Sequence, residues 1–264
     1  MAYVATDGAA YERSMGRWSR MLAESFVSAC ALPPGATVLD AGCGTGALSD
    51  AIAQRDPTAR ITGVDLGEAL VQAAQARVPG GTFRVGEVTQ LQDADAAYDA
   101  TLSLLVLQFV PDRARAVREM RRVTRPGGLV AAAMWNFAGG MTFLRMLFDT
   151  AAALFPAEGE DFRAAHCADD VGAPGRLGAL FAEAGLERVT EHDLVIRQHF
   201  TGFDDWWGPW EAGQGTMGAF VMRLAPARRA QLRAAAERAY RVGGREGPRS
   251  FLAAARLATA RVPG

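Results

Sequence analysis

The chain contains a turn with almost no side chains, at residues 40–46, directly after a short apolar strand. Nineteen residues beyond Gly46, a second apolar strand ends in Asp65. Glycines let a ligand approach the backbone closely, and a carboxylate at the end of the second strand accepts hydrogen bonds from ribose hydroxyls. The pattern therefore predicts a binding site for a ribose-bearing cofactor. The turn residues that we assign to this site are Gly42, Cys43, Gly44 and Gly46.

The spacing of these glycines distinguishes between cofactors. Dinucleotide-binding turns have the pattern Gly-x-Gly-x-x-Gly and seat the pyrophosphate on the N-terminus of the next helix. Here the third glycine comes one residue early, and Asp40 precedes the turn. A carboxylate at this place repels phosphates and attracts an ammonium or a sulfonium group. The pattern favours a cationic cofactor, and an NAD-dependent oxidoreductase stays as the weaker alternative.

These motifs resemble those of class I S-adenosylmethionine-dependent methyltransferases of small molecules. Residues 40–46 are similar to the first motif of that family, and residues 63–66 are similar to the second. Residues 86–88, 98–103 and 125–128 resemble the adenine-contacting segment, the fourth strand and the turn before the fifth strand. The resemblance covers roughly residues 10–136. It implies an enzyme that uses S-adenosyl-L-methionine as its cofactor.

The resemblance also implies roles for residues outside the turn. The family uses a carboxylate and the next backbone N–H to contact the adenine, and Glu87 and Val88 stand at these positions, with Glu in place of the usual Asp. Leu66 belongs to the second motif. Gln108 falls where related enzymes place a polar residue facing the pocket, although a position at a helix start facing solvent stays open.

The first 30 residues carry apolar side chains at helical spacing, and similar enzymes close their site with such a helix. In that arrangement Tyr11 covers the sulfonium by a cation–π contact, and Arg17 or Arg20 pairs with the methionyl carboxylate. A helix that packs on the sheet without any role in the site is the alternative.

Strands and helices alternate through the first half of the chain, which is typical of a parallel, doubly wound α/β sheet. The predicted strands are residues 36–41, 60–65, 82–86, 98–104 and 128–135, with helices at 46–55, 67–77 and 112–123. Ligands of such sheets bind at the carboxyl ends of the strands. The candidate contacts at or just past these ends are Asp40, Asp65, Glu87, Ser103 and Trp135.

The second half has a different organisation, with predicted helices at 140–154 and 176–184, a loop between them, and strands at 187–200 and 252–262. The resemblance implies that these strands form an antiparallel pair completing a seven-stranded, mostly parallel, Rossmann-like sheet. We therefore predict one domain over residues 1–264. Its parts are an N-terminal helical lid (1–30), a cofactor-binding core (31–136), the C-terminal half of the sheet (137–202 and 248–264) and a helical cap insertion (203–247).

The predicted cap contains Trp206, Trp207 and Trp210, followed by an arginine-rich helix that begins at Pro226. Three tryptophans within five residues cannot all point inward from one helix face, so we expect at least one to meet solvent, a pocket or a partner. We predict that they line the acceptor pocket together with Trp135. Packing in the core is the alternative.

Methyl transfer needs alignment of nucleophile, methyl group and sulfur more than it needs a covalent nucleophile. His166 is the candidate general base among the three histidines, with a structural role as the alternative. A non-catalytic protein that binds S-adenosylmethionine, or uses it for other chemistry, also stays open.

The net charge of −1 and the isoelectric point near 6.3 argue against a nucleic acid or a membrane surface as a partner. We expect a cytoplasmic protein with a small-molecule substrate, and a homodimer stays open. The scattered Cys30, Cys43 and Cys167 indicate reduced thiols without a metal, with a three-thiol site for a metalloid as the alternative.

Overall fold

A single seven-stranded sheet organises the protein in the computed structural model, which describes residues 15–242, 244 and 246–264. The strands are β1 (Thr37–Ala41), β2 (Arg60–Asp65), β3 (Thr82–Val85), β4 (Tyr98–Leu104), β5 (Thr124–Trp135), β6 (Glu187–Phe200) and β7 (Arg249–Arg261). Their order across the sheet is β3-β2-β1-β4-β5-β7-β6, and only β7 runs antiparallel to its neighbours. The predicted fold class is confirmed.

Ten α-helices lie in the described part of the chain. They are α1 (Arg17–Cys30), α2 (Ala47–Arg55), α3 (Glu68–Arg77), α4 (Arg113–Val123), α5 (Thr142–Leu154), α6 (Pro156–Cys167), α7 (Arg176–Glu183), α8 (Phe203–Glu211), α9 (Gly215–Arg223) and α10 (Pro226–Tyr240). None of them is long and apolar enough to span a membrane. Tyr11, which we expected over the cofactor, lies outside the described residues.

The sheet is buried on both of its faces, as alternation along β5 makes clear. Ala131, Ala133 and Trp135 belong to an apolar core shared with α1, α2, α5 and the helices α8–α10. Val130, Ala132 and Met134 face the opposite core, which α4 and α7 cover. Because successive side chains of a strand point to opposite faces, one continuous apolar run supplies both cores. We refer to the first side as the α1 face.

Helix α6 occupies a segment that the sequence predicted to be a loop. Proline fits the first turn of a helix, and Glu158 in that turn favours the positive end of the helix dipole. Phe162 is buried, and Gly159 lies so close to α5 that a Cβ there would come within 2.3 Å of the Ala151 carbonyl oxygen. The glycine that suggested a loop is therefore a point of close helix packing.

Strands β6 and β7 extend well beyond the carboxyl end of β5. The last residue of β5, Trp135, pairs with Ala255, whereas β6 and β7 continue to pair as far as Phe200 and Arg249. We call residues 195–200 and 249–254 the arm; at the rise of a strand it is about 20 Å long. Helices α8–α10 connect the two strands of the arm, from Phe200 to Arg249, and pack on its inner side.

All three cap tryptophans are buried, with exposed fractions of 1% for Trp206, 0% for Trp207 and 6% for Trp210. Their partners come from several directions, because Trp206 contacts Tyr240 of α10 and Trp210 stacks on Phe143 of α5. None of the three meets solvent, and their role in the acceptor pocket stays a prediction. A single-face argument fails for a helix that is enclosed on more than one side.

Candidate functional site

The turn between β1 and α2 is held by backbone hydrogen bonds to the neighbouring strand. The amides of Gly42 and Cys43 both donate to the Val64 carbonyl, at 2.8 and 3.0 Å. Gly42, Gly44 and Gly46 all have positive φ, at 85°, 51° and 82°. A Cβ on Gly42 would collide with Val106, but one on Gly44 would meet no described atom within 4 Å. The backbone at Gly44 is therefore open to a ligand at the strand ends.

Asp65 is fixed beside Gly44 by the turn itself. Its Oδ2 accepts from the Gly44 amide at 2.9 Å, and its Oδ1 accepts from the Gly67 amide at 3.0 Å. Each carboxylate oxygen keeps a further lone pair for a ligand hydroxyl. The next residue, Leu66, is 72% exposed. A carboxylate and an apolar side chain thus flank the open backbone.

Asp40 carries an unpaired carboxylate oxygen in the interior. The side chain is fully buried, and Oδ2 accepts from the Ser49 hydroxyl at 2.7 Å, while Oδ1 has no partner among the described residues. Burial raises the pKa of Asp40 to about 7, against the lowering effect of the Ser49 hydrogen bond and with a smaller rise from the charge of Asp65. An orphaned buried carboxylate oxygen is costly, and a cationic ligand group satisfies it.

Glu87 and Val88 lie at the end of β3, next to Asp65. The Gly86 amide donates to the Asp65 carbonyl at 2.9 Å, which places the following residues beside the second strand. Glu87 is exposed and its Oε1 accepts from the Thr89 hydroxyl at 2.6 Å, whereas Val88 is buried. At these positions the two residues could contact the edge of an adenine ring that lies over Leu66. An adenine contact stays a prediction.

Comparison with known proteins gives the same interpretation. Residues 39–132 match a family model described as a methyltransferase domain. A trans-aconitate 2-methyltransferase of Variovorax paradoxus (strain S110) is 32% identical over 112 residues, which are 42% of this chain and 43% of that protein. Residues 39–132 therefore form a methyltransferase domain of the kind that this family model describes.

A further curated relative and a solved structure with the same fold extend the comparison. A ubiquinone biosynthesis O-methyltransferase of Pseudomonas paraeruginosa (strain DSM 24068 / PA7) is 35% identical over 159 residues, 58% of this chain and 65% of that protein. The chain thus matches less than two thirds of the length of either curated relative. The solved geranyl diphosphate C-methyltransferase of Streptomyces coelicolor A3(2) shares the fold, with a TM-score of 0.53 and 19% identity over 94% of this chain and 80% of that one.

Two residues predicted as cofactor contacts of the methyltransferase domain have protein partners instead. The Ser103 hydroxyl is buried and donates to the Ala41 carbonyl at 2.8 Å, so it joins β4 to β1 beneath the turn. The Gln108 amide donates to the Asp169 carbonyl and accepts from the Val171 amide, both at 2.9 Å. Gln108 therefore fixes the loop after α6 across the end of β4.

Arg17 also has a protein partner. Its guanidinium forms an ion pair with Asp205 at 3.1 Å and lies over the rings of Trp18 and Phe200, at 4.2 and 5.0 Å. The group joins α1 to α8, and its pairing with a methionyl carboxylate stays a prediction. Arg20 lies on the exposed side of α1.

Both ring nitrogens of His166 have partners, one in α6 and one in α9. Nδ1 lies 2.8 Å from the Phe162 carbonyl oxygen, so it carries the proton, and Nε2 accepts from the Thr216 hydroxyl at 2.9 Å. Burial against Phe148 and Phe162 lowers the pKa of the imidazole. His166 therefore links α6 to α9 as a neutral side chain, and the geometry does not support its predicted role as general base.

The three cysteines were predicted to be reduced thiols that hold no metal. Cys30, at the end of α1, and Cys43, in the glycine turn, are both buried, and burial raises the pKa of the Cys30 thiol to about 12. Across residues 15–242, 244 and 246–264, no three His, Cys, Asp or Glu side chains come together to hold a metal ion. The three-thiol alternative finds no support in this arrangement.

Sequence reasoning missed two residues of interest. Ser49 lies in the first turn of α2 and holds Asp40, and only its nearness to the glycine turn pointed to it. Gln198 is completely buried in β6. Its signal was present in the alternation of Leu194, Ile196, Gln198 and Phe200, where one polar residue stands among inward-facing apolar ones.

Proposed function

We propose that the protein binds S-adenosyl-L-methionine over Gly44 and transfers its methyl group to a small-molecule acceptor. The observation that carries this proposal is the unpaired Oδ1 of buried Asp40, because a cationic cofactor group gives that atom a partner and a phosphate does not. The curated relatives support a small acceptor, since trans-aconitate is named in one and ubiquinone biosynthesis in the other.

Each residue of the site has one task in this proposal. Asp65 accepts hydrogen bonds from the ribose hydroxyls, and Asp40 stabilises the positive charge of the methionyl part. Leu66 and Val88 contact the faces of the adenine, with Glu87 at its edge. Because the turn contains glycines, the cofactor reaches the backbone there without side chains in between.

The bound cofactor supplies a methyl group activated by the sulfonium. The protein has to hold the acceptor in line with that methyl group and exclude water. Because both nitrogens of His166 have partners, proton removal by this residue is not part of the proposal. In this proposal the acceptor either carries no proton on its nucleophilic atom, or loses that proton to water.

Titration calorimetry with S-adenosylmethionine, S-adenosylhomocysteine and NAD tests the proposal. We expect the first two to bind and NAD to fail. Binding of NAD alone would restore the oxidoreductase alternative. Binding of S-adenosylmethionine with no methyl transfer to any fraction of a metabolite extract would favour a non-catalytic binder.

Replacing Asp65 tests the ribose contact. Asp65→Ala removes two charge-assisted hydrogen bonds to the ribose, each worth about 1.5–3 kcal/mol, and water compensates in part. We expect calorimetry to show cofactor affinity reduced by about tenfold to a few hundredfold.

The control for Asp65 is Asp56→Ala. Asp56 also accepts from backbone amides, those of Gly35 at 2.7 Å and Thr58 at 2.9 Å, but lies in the loop before β2, at the opposite end of the sheet. This variant should lose stability and keep cofactor affinity. Equal affinity in the two folded variants would remove Asp65 from the site.

The raised pKa of Asp40 predicts a pH dependence of cofactor binding. In the free protein the carboxyl is protonated below its pKa of about 7, and a cation binds the ionised form more tightly. Affinity for S-adenosylmethionine should therefore fall as pH decreases from 7, by up to about tenfold per pH unit. Calorimetry between pH 5.5 and 7.5 measures this slope.

Asp40→Asn is the matched control for that slope, because it keeps the shape of the side chain and cannot ionise. Its affinity should be lower at pH 7.5 and nearly constant across the range. A wild-type protein whose affinity does not change with pH would contradict a direct charge interaction at Asp40.

A further inference from the structure

Gln198 is a polar side chain in the middle of an apolar surface. It lies on the inner side of the arm, with 0% exposure, between the inward-facing residues Ile196 and Phe200. Neither Nε2 nor Oε1 has a hydrogen-bond partner in the part of the chain that the structure describes. A buried amide with both groups unpaired is costly, so its presence on this face requires a reason.

Aromatic rings surround this position. Phe251 is the cross-strand partner of Gln198 on β7. Phe200, two residues further along β6, lies 5.4 Å from Trp18 of α1 and 5.7 Å from Phe143 of α5, measured between ring centroids. Paired positions of antiparallel strands share one face, as do alternate residues of one strand. The amide therefore belongs to an aromatic lining on the α1 face.

The same face carries the candidate cofactor site. Asp40 points toward α2 on this side, through its hydrogen bond with Ser49, and its Oδ1 is unpaired. Trp135, at the end of β5, shares the face and has a buried indole N–H without a partner within the described ranges. One strand separates β1 from β5, and one separates β5 from β6. At the usual strand spacing, each step is about 10 Å.

We propose that Gln198 binds the polar group of the acceptor, which lies between the arm and the cofactor on the α1 face. This assignment rests on the proposed function, because the acceptor has to extend from Gln198 past the end of β5 to bring its nucleophile in line with the methyl group of the cofactor. The aromatic rings next to Gln198 then contact the body of the acceptor.

The chemistry of the lining defines the acceptor class. An amide offers one donor group and one acceptor group, and a hydroxyl or amide of a ligand matches both. The charged pair beside Phe200, Arg17 with Asp205, is internally neutralised, so a charged ligand group there would lack a counterion. The structure thus assigns a largely apolar molecule that is long enough to reach from Gln198 to the end of β5 and carries an uncharged hydroxyl or amide group.

Benzamide and toluene are suitable probes, because they share the ring and differ in the polar group. Protein labelled with nitrogen-15 and loaded with S-adenosylhomocysteine is titrated with each probe while the side-chain amide signals are followed by NMR. The signal of Gln198 is identified by its loss in Gln198→Met, which keeps the length of the side chain. The matched control is Gln72→Met, since Gln72 is exposed on α3.

We expect benzamide to shift the Gln198 signals in the wild type and to bind Gln198→Met about tenfold more weakly, while toluene binds both within a factor of about three. The variant should be at least as resistant to urea as the wild type, because an unpaired buried amide has been removed. Benzamide that binds both proteins equally, or neither, would overturn the assignment. Affinity for S-adenosylhomocysteine is measured on the same samples; its absence from the wild type would instead refute the proposed function.

Discussion

Gly44→Val should give a folded protein that no longer binds S-adenosylmethionine. A Cβ at this position meets no described atom within 4 Å, so the protein itself has room for a side chain. That room is the space over the turn that the cofactor has to occupy, and a branched side chain closes it. We expect calorimetry to detect no binding at cofactor concentrations that saturate the wild type.

The backbone conformation needs a control, because Gly44 has a φ of 51° and a valine there is strained by about 1–2 kcal/mol. Gly127→Val is matched to it: Gly127 has a φ of 71°, and its added Cβ also meets no described atom within 4 Å. Gly127 lies near the amino end of β5, away from the site. This variant should lose similar stability and bind the cofactor normally. If Gly44→Val binds as well as Gly127→Val does, the ligand does not approach the turn.

The cofactor half of the fold was predictable because its signals are local. Strand β1 ends one residue before Gly42, and strand β2 ends at Asp65, as the sequence indicated. A short apolar run flanked by turn residues specifies a buried parallel strand without knowledge of its neighbours. The positive φ angles of the turn follow from the same few glycines. The helices α2 and α3 begin directly after these turns.

The partners of individual side chains were not predictable, because they depend on residues far away in the sequence. Arg17 pairs with Asp205, 188 residues further on, and Gln108 holds a loop 61 residues away. His166 receives its hydrogen bond from Thr216, in a different helix. Each residue type suited the predicted chemistry, but long-range packing determined which group it met. Asp40 and Asp65 were exceptions, since their partners Ser49 and Gly44 belong to the glycine turn and to the helix that directly follows it.

Trp206→Ala should destabilise the whole domain rather than act on the acceptor alone. Trp206 is 1% exposed, and its ring lies 4.5 Å from that of Trp210 and 5.8 Å from that of Tyr240. The same apolar core contains Ala133 and Trp135 of the sheet, so a cavity at Trp206 weakens the cap and the sheet together. Burial of an aromatic ring predicts a loss of about 3–5 kcal/mol. Urea unfolding followed by circular dichroism measures it.

The unpaired indole N–H of Trp206 determines where in that range the value falls. No described atom accepts from Nε1, and removing an unsatisfied buried donor returns about 1–3 kcal/mol to the folded state. We therefore expect a net loss near 3 kcal/mol, still a large part of the stability of a domain. Val242→Ala, in the same segment but 79% exposed, should change the free energy of unfolding by less than about 0.5 kcal/mol. If Trp206→Ala unfolds at the same urea concentration as the wild type and loses only methyl transfer, the ring contacts the acceptor. The stability of the apolar core then does not depend on Trp206.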